Sequence, residues 1–321
     1  MKRRIIGWIS AAVIVVVLIT VWRPMELGFK PDIDAGSAVL LDLNSGDVWV
    51  NINGDVPMPP ASVSKLMTEM IVLDHISTGM LRWEDRVPIS AYASTMGGMS
   101  LSLKRGEFYT VRELFEGIAI YSANDAAVAL AEYMAGSEDA FVLMMNERAR
   151  SLGLSSGTIF SNASGLSGKD LGIVYGSTPI SNETRMTARD TAKLAAALIH
   201  QHPEILNISS RTQMQLKNKG LYVSNSNLML PAMGGAYAYD GTDGLKTGYD
   251  SRTGYCIAST AQHKGHRLIA VVMGAETYES RYESATKLFD YGFFRGLPYG
   301  DRVKHIIHAL GAPNKARASY Q

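Results

Sequence analysis

Cysteine is almost missing from this chain: Cys256 stands alone among 321 residues, which excludes a disulfide framework. The seven histidines are scattered, so no Cys/His cluster with metal-ligand spacing is present and no metal is expected. An excess of either charge is missing too. The 31 basic and 30 acidic side chains leave a formal charge of +1, too weak a field to gather nucleic acid, and no nucleic-acid partner is expected. There is also no internal repeat. Cys256 lies in an apolar stretch and reads as a plain core residue.

Apolar residues are plentiful. They make up 46% of a chain long enough for one large domain or two ordinary ones, so a substantial buried core is expected. At the N-terminus, Lys2, Arg3 and Arg4 precede an uncharged run from Ile5 to Trp22. As a helix this run would span ~27 Å, close to the hydrocarbon thickness of a bilayer. Positive charge on that side predicts export of the remainder. Residues 1–22 are therefore expected to form an anchor, with residues 5–22 in the cell membrane and the rest extracytoplasmic. Secretion after signal cleavage is the alternative, but a signal's apolar region is usually shorter and no small-x-small site precedes Trp22-Arg23-Pro24. An exported chain with so little cysteine looks bacterial. Residues 23–35, with Pro24, Gly28, Pro31, Asp32 and Asp34, read as a linker.

From Gly36 the pattern becomes that of a folded domain, expected to run over 36–294. Two β-prone segments, 37–43 and 47–53, flank Asn44-Ser45-Gly46, the turn chemistry of a hairpin. After Pro59-Pro60, the segment 62–77 is apolar on most sides and predicts a buried helix closed by Gly79. Thr110 with Glu113 three places on has the form of a capping box for a second helix, ending near Tyr121. Further helices are predicted over 125–135, with Gly136 at the stop, over 137–152, and from the Thr187/Asp190 cap to Ile199. Residues 155–186 are rich in Ser, Gly and Asn and read as a long irregular region that helps wall a site. A second hairpin, 253–261 and 266–275, is joined by Gln262-His263-Lys264-Gly265, and a last helix covers about 279–293. Strands at both ends with helices between them imply an α+β domain, one mainly antiparallel sheet packed against helices.

Three motifs carry candidate chemistry. In Ser62-Val63-Ser64-Lys65 a serine and a lysine three apart share a helix face, so a lysine with a depressed pKa can take the serine proton. Alone the pair is weak, and an N-cap serine followed by a solvated lysine is its commoner meaning. Ser122-Ala123-Asn124 lies between two helices and reads either as an ordinary cap or as a proton relay, Ser122, beside an amide, Asn124, that bonds substrate or Lys65. Lys246-Thr247-Gly248 precedes the final hairpin. It is either a turn with an exposed lysine or an edge strand whose Lys246 and Thr247 hold a carboxylate while Gly248 leaves room for a peptide.

The three together, S-x-x-K, S-x-N and K-T-G in that order, form the known signature of penicillin-binding proteins and class A β-lactamases. The surrounding stretches, residues 60–68, 121–126 and 243–249, resemble the low-molecular-weight D-alanyl-D-alanine carboxypeptidases, the peptidase S11 family, over roughly 36–294. The resemblance implies a β-lactamase/transpeptidase-like fold and a serine carboxypeptidase that trims peptidoglycan stem peptides and is acylated by β-lactams. It casts Ser62 as nucleophile, Lys65 as base and Ser122 as relay. The backbone N–H groups of Ser62 and Tyr249 would form the oxyanion hole, and Lys246, Thr247 and Arg281 would hold the terminal carboxylate. Arg281 rests on matching Arg281-Tyr282-Glu283-Ser284 to the start of the family's last helix, and a surface arginine is the alternative. No organic cofactor is implied.

The chain departs from the family in two places. Ala123 stands where these carboxypeptidases more often have glycine and β-lactamases have aspartate. Many relatives also carry a β-rich second domain and a C-terminal amphipathic anchor. Here the tail, 295–321, has five basic residues against Asp301, with Val303, Ile306, Ile307 and Leu310 on one helical face, which suits packing on the domain or contact with an anionic membrane. A β-lactamase is disfavoured because its E-x-x-L-N element is absent: Glu204-Ile205-Leu206-Asn207 is one residue short. A non-catalytic wall-binding protein would have no need of the serine–lysine pair.

Overall fold

Asp42 shapes the first turn: its carboxylate accepts from the Asn44 N–H and the Ser45 hydroxyl, both at 2.9 Å, and folds strand β1 (Ser37–Asp42) back on β2 (Val48–Ile52). The expected hairpin is present, with its register shifted between Leu40 and Leu41. The second hairpin, β8 (Gly254–His263) and β9 (His266–Ala275), has a shorter loop than the sequence suggested. Lys264 and Gly265 both lie at positive φ, 51° and 81°, the conformation of a two-residue hairpin turn, so Gln262 and His263 still pair across the strands.

These strands and β7 (Thr242–Asp250) make one antiparallel sheet in the order β2-β1-β9-β8-β7. Its middle is buried on both faces: every residue of β1 is buried, as are Arg267–Met273 of β9. The sheet leaves β7 at an edge, which decides where the site lies.

Helix α1 (Lys65–Ser77) runs through the core, with Lys65–Leu73 all buried. Each of its apolar side chains contributes roughly 1.5–3 kcal/mol by leaving water. Against it pack α3 (Asn124–Ala135), α4 (Glu138–Ser151) and α5 (Ala188–Gln201), and α5 also covers β1 and β9. The caps read from the sequence are formed. Thr110 and Glu113 close both halves of the capping box of α2 (Val111–Glu116), Gly136 ends α3 at φ 82°, and Thr187 accepts from the Asp190 N–H at 2.9 Å.

Elements that the sequence did not announce are short: the pair β3 (Arg86–Pro88) and β4 (Phe108–Thr110), helix α6 (Ile205–Ser209), and the pair β5 (Gln213–Leu216) and β6 (Leu221–Ser224). Helix α7 (Tyr278–Gly296) follows β9.

This computed structural model describes residues 31–167 and 183–296. Ile33–Phe289 form one unit, and residues 31–32 and 290–296 belong to a second, otherwise undescribed one. The anchor at 5–22, most of the linker, residues 168–182 and nearly all of the tail lie outside the described residues. Among the described residues no helix is long and apolar enough to cross a membrane.

Candidate active site

The chain enters α1 through a tight turn, Ala61–Ser64, in which Ala61 takes a positive φ of 50°. Regular helix therefore begins at Lys65 and not at Ser62 as the apolar pattern suggested. The Ser64 hydroxyl bonds back to the Ala61 carbonyl at 2.9 Å and the Val63 N–H to Pro60 at 3.2 Å, closing the turn more tightly than a helix would. Ser62 still faces Lys65. Their Oγ and Nζ are 2.9 Å apart, so an ammonium donates to the hydroxyl and a neutral amine can receive its proton.

Lys65 is fully buried, which fixes its chemistry. Besides Ser62, its Nζ reaches Asn124 Oδ1 at 2.6 Å and the Ser164 carbonyl at 2.5 Å. Burial pushes its pKa well below the ordinary lysine range, helped by the positive charge of Lys246 and opposed by Glu69 and Asp125. An amine so placed is readied as a base.

The Ser164 carbonyl was not singled out in the sequence, although its segment was expected to wall a site. Asn162 Oδ1 folds this segment by accepting from the N–H groups of Ser164 and Gly165. Glu138 Oε1, at the start of α4, accepts from the Ala163 N–H at 2.8 Å, and the Thr68 hydroxyl of α1 donates to the Ala163 carbonyl at 2.8 Å. Gly165 has no side chain for a plain reason: a Cβ there would meet the Ala61 carbonyl and Ser64 Oγ at 2.2 Å.

The second motif is held by the end of α2, which widens into a π turn, Gly117–Tyr121, and stops where Ser122 takes a left-handed conformation at φ 71°. Such a backbone is strained for a serine and recurs at functional sites. The Ser122 hydroxyl is buried and has no hydrogen-bond partner among the described residues. Asn124 is oriented from outside: its Nδ2 donates to the Gly97 carbonyl at 2.7 Å, which turns Oδ1 toward Lys65.

The third motif lies on edge strand β7, as the edge-strand reading required. Lys246 is buried, with Nζ donating to the Thr247 carbonyl at 3.1 Å, and the Thr247 hydroxyl donates to Ser226 Oγ at 2.8 Å. Burial lowers the Lys246 pKa to about 8, while Glu69 pushes it up and Arg281 down. Gly248 brings the strand against the nucleophile. A Cβ there would stand 2.9 Å from the Pro60 carbonyl and 3.0 Å from the Ser62 nitrogen, both rigid backbone atoms. Gly248→Ala is therefore expected to displace the strand from Ser62 and to lower stability by about 1–3 kcal/mol. A thermal melt checks this, and an unchanged melting temperature would contradict the contact.

Arg281 is not a surface residue. It is 4% exposed, donates to the Gly248 carbonyl at 3.2 Å, and lies over the rings of Tyr255, Tyr278 and Tyr282. The Tyr249 side chain points outward, 57% exposed, its ring 4.5 Å from that of Tyr255. Cys256 is buried and its thiol is pushed up to about 11, in keeping with a core role.

The geometry thus brings Ser62, Lys65 and Asn124 together beside the edge strand that carries Lys246, Thr247 and Gly248. The family model for D-alanyl-D-alanine carboxypeptidase matches residues 26–277. The chain belongs to that family. It is 35% identical over 263 residues to D-alanyl-D-alanine carboxypeptidase DacF of Bacillus subtilis, covering 81% of this chain and 62% of the relative. It is 35% identical over 275 residues to DacA of Escherichia coli, covering 82% and 62%. The chain thus spans a little under two thirds of the length of these relatives. Among solved structures, penicillin-binding protein D2 of Listeria monocytogenes in its ampicillin-bound form aligns with a TM-score of 0.70 at 32% identity, covering 81% of this chain and 98% of that one. Penicillin-binding protein 3 of Streptococcus pneumoniae aligns with a TM-score of 0.75 at 30% identity, covering 81% and 73%.

Proposed function

We propose that this chain is a serine D-alanyl-D-alanine carboxypeptidase that removes the terminal D-alanine from peptidoglycan pentapeptide stems through an acyl-enzyme on Ser62, and that β-lactams acylate the same serine. The observation that carries the reading is the 2.9 Å approach of Ser62 Oγ to a fully buried Lys65 amine.

Neutral Lys65 takes the Ser62 proton as Oγ attacks the carbonyl carbon of the penultimate D-alanine. The oxyanion is held by the backbone N–H groups of Ser62 and Tyr249, the kind of fixed donor pair that contributes several kcal/mol to an acyl-transfer transition state. The C–N bond then breaks, and the proton passes from Lys65 through Ser122 to the departing amine. Lys246, Thr247 and Arg281 hold the terminal carboxylate. Water, deprotonated by the same lysine, cleaves the ester and restores Ser62. In a β-lactam the leaving nitrogen stays attached through the opened ring, so it obstructs that last step. Residues 5–22 would hold the enzyme in the bacterial membrane with this domain on the extracytoplasmic side.

The two lysines must be in different protonation states, Lys65 neutral and Lys246 an ammonium, which sets a pH window. Lys246 is an ammonium below its pKa of about 8 and neutral above it, so KM is expected to rise once the pH passes that value. Steady-state kinetics from pH 6 to 10 check this, and a KM flat to pH 10 would remove Lys246 from carboxylate binding. The assignment itself is tested by incubating the protein with a pentapeptide ending in D-Ala-D-Ala. Release of free D-alanine that penicillin blocks is the expected result, whereas no release, or rapid turnover of penicillin, would overturn it.

A further inference from the structure

The mechanism above leaves Glu69 without a role. Glu69 lies on α1 seven residues after Ser62 and four after Lys65, so all three share one side of the segment. Its side chain is 1% exposed, and its carboxylate oxygen Oε1 has no hydrogen-bond partner among the described residues. A buried acid is costly unless something compensates it, so its presence in a helix whose other residues from Leu66 to Leu73 are uncharged and buried needs a cause.

Positive charge supplies one. Lys65 from α1, Lys246 from β7 and Arg281 from α7 are all buried, and the last two meet the same short stretch of backbone, at the Thr247 and Gly248 carbonyls. Glu69 and Asp125 are the acids that oppose the charge of Lys65. Asp125 of α3 is committed elsewhere, accepting from the Ser100 hydroxyl at 2.6 Å and from the N–H groups of Leu101, Leu103 and Ala126. Farther along α1, Asp74 is paired with Arg148 of α4 and with His202. Glu69 is the acid with an oxygen to spare. Its charge interacts most with Lys246 and next with Lys65, and it is the leading charge that raises Lys246.

We propose that Glu69 is a positioning residue: the buried countercharge of Lys246, which keeps that amine an ammonium for the substrate carboxylate while neighbouring Lys65 is free to be the base. Without it, burial and mutual repulsion would discharge the amine that has to bind. The reciprocal effects agree, since burial raises the Glu69 carboxyl to about 7 while the two lysines pull it down. Glu69 touches no substrate atom in this account and acts through Lys246. The inference rests on the carboxypeptidase reading for the task given to Lys246.

Glu69→Gln removes the charge and keeps the shape. The alkaline limb of kcat/KM for D-alanine release is expected to move to lower pH by about one unit, through KM and not kcat. The acid limb should move the same way, because Lys65 loses the same countercharge. Glu69→Asp keeps the charge and should hold both limbs near their wild-type positions. Lower activity with both limbs unmoved would overturn the proposal and leave Glu69 a packing role.

If Glu69→Gln does not fold, the coupling is read from the wild-type protein and Lys246→Ala by carbon-13 NMR of the Glu69 carboxyl. Coupling between two sites is reciprocal, so loss of Lys246 should raise the titration midpoint by a similar amount. An unchanged midpoint would overturn the proposal. Absence of D-alanine release by the wild type would count against the carboxypeptidase reading alone, and the carboxyl titration would then decide the role of Glu69.

Discussion

Ser62→Ala is expected to reduce D-alanine release to background and to abolish labelling by fluorescent penicillin, while the protein still melts cooperatively. The size of the effect follows from covalent catalysis, where losing the nucleophile costs on the order of 10⁶ in turnover. The fold should survive because the Ser62 hydroxyl is half-buried and, among the described residues, pairs only with Lys65, which keeps Asn124 and Ser164 as acceptors. A change of about 1 kcal/mol is the scale for one lost hydrogen bond. Release at the wild-type rate would remove Ser62 from the mechanism, and a collapsed melt would mean that the serine is structural.

Lys65→Gln should be nearly as damaging, for a different reason. Loss of a general base costs about 10²–10⁴, and the same amine also ties Ser62 Oγ, Asn124 Oδ1 and the Ser164 carbonyl together. Penicillin acylation is expected to fall by about 10³ or more. The acid limb of the pH profile should vanish with it, because a glutamine does not titrate. Stability is pulled both ways. Burial holds the Lys65 pKa well below its unfolded value, so the folded state binds this proton less tightly than the unfolded chain and the charged amine weighs against folding at neutral pH. Glutamine removes that burden but leaves a buried acceptor unpaired, at about 1–3 kcal/mol. Rapid-mixing acylation kinetics and thermal melts separate the two, and wild-type acylation in this variant would contradict the base assignment.

Much of this was legible in the sequence, for physical reasons that can be named. Caps are local: Thr110 with Glu113, Thr187 with Asp190, and Gly136 each carry their own hydrogen-bond or backbone logic, and the structure forms all three. The two hairpins and the buried α1 followed from apolar patterning. The start of α1 did not, because the turn that displaces it to Lys65 depends on an unusual Ala61 backbone beside Gly165, about a hundred residues away in the chain. Short pairs such as β5 and β6 lack enough alternation to stand out.

For the candidate site, the sequence marked the residues of recognised motifs: Ser62, Lys65, Ser122, Asn124, Lys246, Thr247 and Gly248. It did not mark the residues that orient them. Ser164 acts through a backbone carbonyl, which every residue has, and Glu138 through a hydrogen bond to the Ala163 N–H that only the fold creates. Glu69 did leave a trace: an acid at a position where every neighbour in the helix is buried. Arg281 was placed by resemblance alone, and its burial against β7 is a tertiary fact.

The central claim is that a proton moves from the hydroxyl at position 62 to the amine beside it, leaving an oxygen that attacks an acyl carbon. Brief exposure to benzylpenicillin followed by intact-mass measurement and peptide mapping tests it most directly. One stable adduct of the penicillin's own mass on the peptide bearing Ser62, absent when that serine is alanine, is the result expected. Unmodified protein, or an adduct on another residue, would contradict it.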